Sequence, residues 1–176
     1  TLFAIGFVSL FISGGLTGIF LGNSTIDIHL HDTMFVVAHF HIVMGVASMF
    51  GMFAGVYHWF PKMFGRYLNS TLGYIHFWVT MVGSYLIFWP MHYQGLAGVP
   101  RRYLDKSSWV SFNDFKDLDK MITVVSIIVF AMQLMFVFNF FYSIFKGRKV
   151  TTKNPWGSNT LEWTTPIRPG HGSWEG

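Results

Sequence analysis

The feature that most constrains this chain is the run from Thr33 to Pro61, which holds no Asp, Glu, Lys or Arg and is bounded by Asp32 and Lys62. About 20 apolar residues suffice to cross the hydrocarbon core of a bilayer, so a run of this length reads as a transmembrane helix. Three further uncharged runs repeat the pattern. The first extends to Ile26, the third covers 67–100, and the fourth is Met121 to Phe145. Helices are expected over 2–22, 33–60, 71–92 and 121–145, with Pro61 ending the second and Pro90 distorting the last turn of the third. Gly14 and Gly18 form a small-xxx-small pair that would let a neighbouring backbone approach the first helix, and Gly51 and Gly55 repeat the spacing in the second.

The chain therefore reads as an all-α integral membrane protein, with four transmembrane helices in residues 1–146 and a peripheral C-terminal tail over 147–176. Composition agrees, since 52% of residues are hydrophobic and only 11% charged, outside the range of soluble domains. The net charge of +4 is small and carried by loops and tail, which gives no support to nucleic-acid binding. With no cysteine there is neither a disulfide framework nor a thiolate site. Thr1 already lies in an apolar run with no basic leader, so a longer polypeptide is expected rather than a signal peptide.

Chemistry concentrates at the entrance to the second helix. From Asp27 to His41 the chain carries four histidines and two aspartates. His39 and His41 lie inside the bilayer, where an ionisable side chain is costly unless paired or ligated. At about 100° per residue they diverge by roughly 160° and leave opposite faces of one helix, so they cannot share a metal. Each could hold its own. Two irons so held would sit on the order of 10–15 Å apart, a separation suited to electron transfer between haems. The alternative is a pair of hydrogen-bonded core histidines.

His31 and Asp32, with Asp27 nearby, form an N and O ligand pair acceptable to Mg²⁺ or Mn²⁺, though a partner chain would have to complete it. Asp32 capping the second helix beside a solvated His31 is the reading the residues favour by themselves. His39 lies about 10 Å below the entrance surface, and by parity the loop carrying Arg101 and Arg102 shares that surface. Two adjacent guanidinium groups suit haem carboxylates there, or lipid phosphates. That loop also carries Asp105 and Lys106. His58, His76 and His92 fall near helix ends, where water or headgroups would satisfy them. Lys62, Arg66 and the basic start of the tail put that side in the cytoplasm or matrix.

At His31-Asp32-Thr33, Val36-Val37-Ala38-His39-Phe40-His41, His58-Trp59-Phe60-Pro61, Pro100-Arg101-Arg102-Tyr103 and Leu161-Glu162-Trp163 the chain resembles subunit 1 of cytochrome c oxidase, in the haem-copper oxidase family. Gly14-Gly15-Leu16-Thr17-Gly18 fits as well. The resemblance implies the last four helices of a twelve-helix bundle. It implies that His39 is the catalytic proximal ligand of a high-spin haem and that His41 ligates a low-spin haem. It also implies Mg²⁺ at His31 and Asp32, shared with subunit 2, and haem propionates near Asp27, Arg101 and Arg102. Copper ligands and proton channels would lie outside this stretch.

The expected function is O₂ reduction to water with electrons from cytochrome c, coupled to proton pumping, in a bacterial plasma membrane or mitochondrial inner membrane. The expected partners are the rest of subunit 1, oxidase subunits 2 and 3, cytochrome c and lipid. A quinol oxidase is the nearest alternative and Asp32 argues against it, since Asn is common there in that branch. A non-catalytic transporter bundle is a more distant one, because the midplane lacks a polar line apart from the two histidines.

Overall fold

The computed structural model describes residues 2–103 and 109–167. Asp105, Lys106 and the tail beyond 167 lie outside the described residues. The described elements are helical throughout: α1 (Leu2–Gly22), α2 (Ser24–Leu30), α3 (Met34–Phe40), a π-helical segment (His41–Val46), α4 (Ala47–Phe64), α5 (Ser70–Leu96) and α6 (Lys116–Lys146). Short 3₁₀ turns occupy Val110–Phe115 and Leu161–Trp163. Four helices are long and apolar enough to cross a membrane, Leu2–Gly22, Met34–Phe64, Ser70–Leu96 and Val110–Lys146, and the chain is an integral membrane protein.

The continuous rod α3–π–α4 is the axis of the bundle. Helix α1 packs along one side of it, α5 meets α3 on the other, and α6 lies against the outer side of α5. On the tail side an aromatic cluster joins all four spans. Phe3 of α1 contacts Phe50, Phe53 and Tyr57 of α4 and Phe77 of α5 at 5.2–5.4 Å between ring centroids. Phe136 of α6 closes on Phe53 at 4.7 Å. Helix α6 buries little besides Ile122, Asn139 and Ser143, so its remaining surface faces lipid or other protein.

Both proline expectations need correction. Pro61 lies inside α4, which runs on to Phe64 and ends where Gly65 turns left-handed at φ 66° and donates its N–H to the Pro61 carbonyl at 2.9 Å. A proline this near a helix end forfeits one backbone hydrogen bond without breaking the rod. Pro90 lies inside α5 in the same way, with helix continuing to Leu96. Asn23 caps α2, its side chain accepting from the N–H groups of Thr25 and Ile26.

Among the described residues a short antiparallel bridge ties each membrane face. At the entrance Thr33 pairs with Pro100, with Met34 N–H donating to Val99 O and Arg101 N–H to Asp32 O, both at 2.9 Å. On the tail side Arg66 pairs with Lys149. The tail then lies back on α4. Trp163, 2% exposed, donates its indole N–H to His58 Nε2, Trp156 donates to the His58 carbonyl, and buried Lys62 donates to the Thr165 carbonyl at 2.8 Å.

Candidate functional site

The two intramembrane histidines diverge. The His39 ring turns to α1, where Nδ1 lies 2.9 Å from Gly14 O and 2.8 Å from the Thr17 hydroxyl. The His41 ring turns to α5, stacking on Phe88 at 4.9 Å and 13° between planes. Its Nδ1 lies 2.8 Å from Val37 O, one turn back in its own helix. A carbonyl oxygen only accepts, so each Nδ1 must carry the hydrogen. Each Nε2 then holds a bare lone pair. Neither Nε2 has a hydrogen-bond partner among the described residues, and neither is sealed inside the chain.

That is the state a metal-binding imidazole needs. A ligating histidine typically donates its other ring N–H to a carbonyl, which fixes tautomer and orientation and raises the basicity of the ligating nitrogen. The donor chemistry of both histidines therefore fits a haem iron on Nε2. Beside His41 a mainly apolar cavity of about 430 Å³ opens between the rod, α5 and α6, lined by Val46, Ile87, Phe88 and Phe130 with Ser84 and Gln133 among them.

The π-helical segment begins at His41 itself. Its wider turn shows in the Ala47 N–H, which reaches back five residues to Ile42 O. Such insertions mark functional sites more often than ordinary helix does. No residue in His41–Val46 is a proline, and nothing in the apolar pattern signals the change of period.

Gly14 and Gly18 serve different purposes from each other. A Cβ on Gly14 would stand 2.6 Å from Val43 Cγ2, so this glycine admits the rod, as the spacing predicts. A Cβ on Gly18 would meet the His39 ring, 3.0 Å from Cε1 and 3.5 Å from Nε2, so this glycine admits the imidazole. Gly51 and Gly55 make no close approach to another helix's backbone; the nearest atoms to their Cβ positions belong to Phe7 and Trp59 side chains.

At the entrance the residues meet differently from expectation. Thr33 caps α3 by accepting from Phe35 N–H, and Asp32 instead adopts a left-handed φ of 59°. Arg101 closes on one carboxylate oxygen of Asp32 through Nη2 at 2.5 Å and Nε at 2.7 Å. This contact holds the Asp32 carboxyl below its ordinary pKa. The other oxygen stays 3.8 Å from His31 Nε2, and Asp27 stays 3.7 Å from His31 Nδ1. Among the described residues no three His, Asp or Glu groups gather as a metal site, so a divalent cation does not fit here on this chain alone. Arg102 stands beside Arg101 with a left-handed φ of 68° and is exposed.

His76 and His92 are not satisfied by water or headgroups. His76 is fully buried, donates from Nε2 to Gln133 Oε1 at 3.1 Å, and Gln133 passes its own N–H groups to Thr80 and Val129 O. His92 is 6% exposed against Phe35 and Trp89. Sequence position near a helix end missed both, because the α5–α6 and α3–α5 contacts cover those ends.

The family model described as Cytochrome C and Quinol oxidase polypeptide I matches residues 1–128. Alternative cytochrome c oxidase subunit 1 of Bradyrhizobium diazoefficiens is 53% identical over 98% of this chain and 29% of its own length. Cytochrome c oxidase subunit 1 of Thermostichus vulcanus is 46% identical over 99% of this chain and 30% of its own. The corresponding protein of Synechocystis is 46% identical over 96% of this chain and 29% of its own. The chain thus spans about three-tenths of the length of these curated relatives.

Proposed function

The chain belongs to the family described as Cytochrome C and Quinol oxidase polypeptide I, and from that membership we propose that it is the last four helices of the twelve-helix catalytic subunit of a terminal oxidase. The subunit reduces O₂ to water with electrons from cytochrome c and couples this to proton pumping. The observation that carries the reading is the pair of bare Nε2 atoms, each backed by an Nδ1–H donated to a carbonyl, on opposite sides of one rod.

In this reading His39 would hold a high-spin haem and His41 a low-spin haem; bound haem would supply the one-electron and oxygen chemistry. The chain's own contribution is to hold each Nδ1 proton on a carbonyl and so keep each Nε2 lone pair aimed away from the rod. Phe88 stacked on His41 and Gly18 against His39 keep both rings from turning.

Asp27, Arg101 and Arg102 sit on the entrance surface above this pair and are proposed to face the haem carboxylates. Arg101 already spends part of its guanidinium on Asp32, so Arg102 is the freer of the two cations. His31 and the remaining Asp32 oxygen supply at most two donors to Mg²⁺ or Mn²⁺, and subunit 2 is proposed to complete that shell. Copper does not fit the described residues, and its ligands are proposed to lie elsewhere in the full subunit. The membrane is a bacterial plasma membrane or mitochondrial inner membrane, and subunit 3 is a further expected partner.

Cytochrome c is favoured over quinol as donor by Asp32 and by the names of the three relatives. Oxygen consumption by the purified intact complex, supplied in turn with reduced cytochrome c and with a quinol, tests this. Turnover with cytochrome c supports the reading, and turnover with quinol alone contradicts it.

A further inference from the structure

Two polar atoms meet His39 Nδ1, and the second belongs to a side chain with no role in the reading above. Thr17, 9% exposed on α1, donates its hydroxyl hydrogen to Gly14 O at 2.6 Å, while its oxygen lies 2.8 Å from His39 Nδ1. Gly14 O also lies 2.9 Å from the same Nδ1. A hydroxyl has one hydrogen, and here it is committed to the carbonyl. The Nδ1–H is therefore shared between Gly14 O and Thr17 Oγ1.

We propose that Thr17 is a positioning residue for His39: its oxygen is the second acceptor for the imidazole Nδ1–H, setting the ring's orientation and raising the donor strength of Nε2. This rests on the reading that His39 ligates the high-spin haem. Hydroxyl donation to Gly14 O makes the Thr17 oxygen a better acceptor, because hydrogen bonds in a chain polarise one another. An imidazole whose N–H is more strongly accepted is a more basic ligand through its other nitrogen. Gly18 supplies the third wall, with no Cβ where the ring edge lies. The segment Gly14-Gly15-Leu16-Thr17-Gly18 is thus a cradle for one imidazole as well as a helix-packing surface.

The test is the iron–histidine stretching band of the reduced high-spin haem, recorded by resonance Raman on the intact complex. Thr17→Val keeps the side chain's shape and removes the oxygen; it should lower the band by several wavenumbers and broaden it. Thr17→Ser keeps the oxygen and should restore the wild-type position. Thr17→Ala, which cannot overfill the site, should reproduce the Val shift if the Val variant does not assemble. An unmoved band in Val or Ala overturns the proposal, as does a Ser variant shifted as far as Val. So does failure of both Val and Ala to assemble while Ser assembles, since the hydroxyl would then serve folding. His39→Ala separates the two claims: if it leaves the band intact, the ligand assignment itself is wrong, whereas loss of the band with no Thr17 effect removes only the role of Thr17.

Discussion

Asp32 and Arg101 lock the two entrance loops together, side chain to side chain through the carboxylate and backbone to backbone through Arg101 N–H on Asp32 O at 2.9 Å. The contact keeps the Asp32 carboxyl below its ordinary value of 3.8, chiefly through the Arg101 hydrogen bond. A carboxyl lowered in the folded state contributes its full stabilisation above the ordinary value and loses it as pH falls through the lowered one. Asp32→Asn should therefore lower the melting temperature of the intact complex at neutral pH. The gap to wild type should narrow as pH drops below the ordinary value. A gap that is constant with pH would show that the charge is not what ties the loops.

Gly95 of α5 crosses α3 with almost no clearance, and a Cβ there would overlap the backbone nitrogen and Cα of Phe35. Backbone cannot step aside as a side-chain tip can. Gly95→Ala should destabilise the complex by roughly 3 kcal/mol or more, at the upper end for overpacked sites. Low recovery of assembled complex, or a melting point many degrees down, is the expected result. Gly98→Ala is a contrasting control. Gly98 has open space around it but a left-handed φ of 82°, so that substitution should cost only the milder backbone strain.

Gln133 is the lone described partner of the buried His76 Nε2–H. Gln133→Leu strands that donor in an apolar interior and should cost about 1–3 kcal/mol, the typical penalty of an unsatisfied buried group. Replacing both residues, His76→Leu with Gln133→Leu, should recover part of the loss, because the stranded imidazole donor is gone and only the Thr80 hydroxyl then lacks its described donor. Melting curves of the two single variants and the double variant check this. A double variant less stable than the sum of the singles would contradict it.

Lys62 holds the tail. It is 9% exposed and gives hydrogen bonds to both the carbonyl and the hydroxyl of Thr165. Lys62→Met keeps the aliphatic stem and removes those bonds, which for a charged donor are worth about 1.5–3 kcal/mol. Trypsin should then cut after Lys153 roughly tenfold faster or more, since 1.4 kcal/mol is a factor of ten in opening. Unchanged cleavage would mean that Trp163 and Trp156 on His58 hold the tail by themselves.

The spans were readable because charge is excluded from hydrocarbon, and the divergence of His39 and His41 because residues two apart on a helix leave it roughly 160° from each other. Thr33 as the cap of α3 was hidden by Asp32, an equally good capping residue one position earlier, which the Arg101 loop draws into a left-handed turn. Pro61 misled because a proline's effect depends on how much helix follows it, and only Gly65 reveals that. The π-helical turn at His41 leaves no mark in composition, being a choice of backbone period made by the packing. The Thr17 hydroxyl gains meaning only when His39 is brought against it, a contact between residues 22 apart that no local pattern announces.

The central claim is that one rod presents two imidazoles to two separate cofactors. Visible and resonance Raman spectra of the intact complex, wild type against His39→Ala and His41→Ala, test it most directly. The first substitution should perturb only the oxygen-reactive high-spin haem, and the second only the low-spin haem. If both altered the same haem signal and left the other untouched, the claim would be wrong.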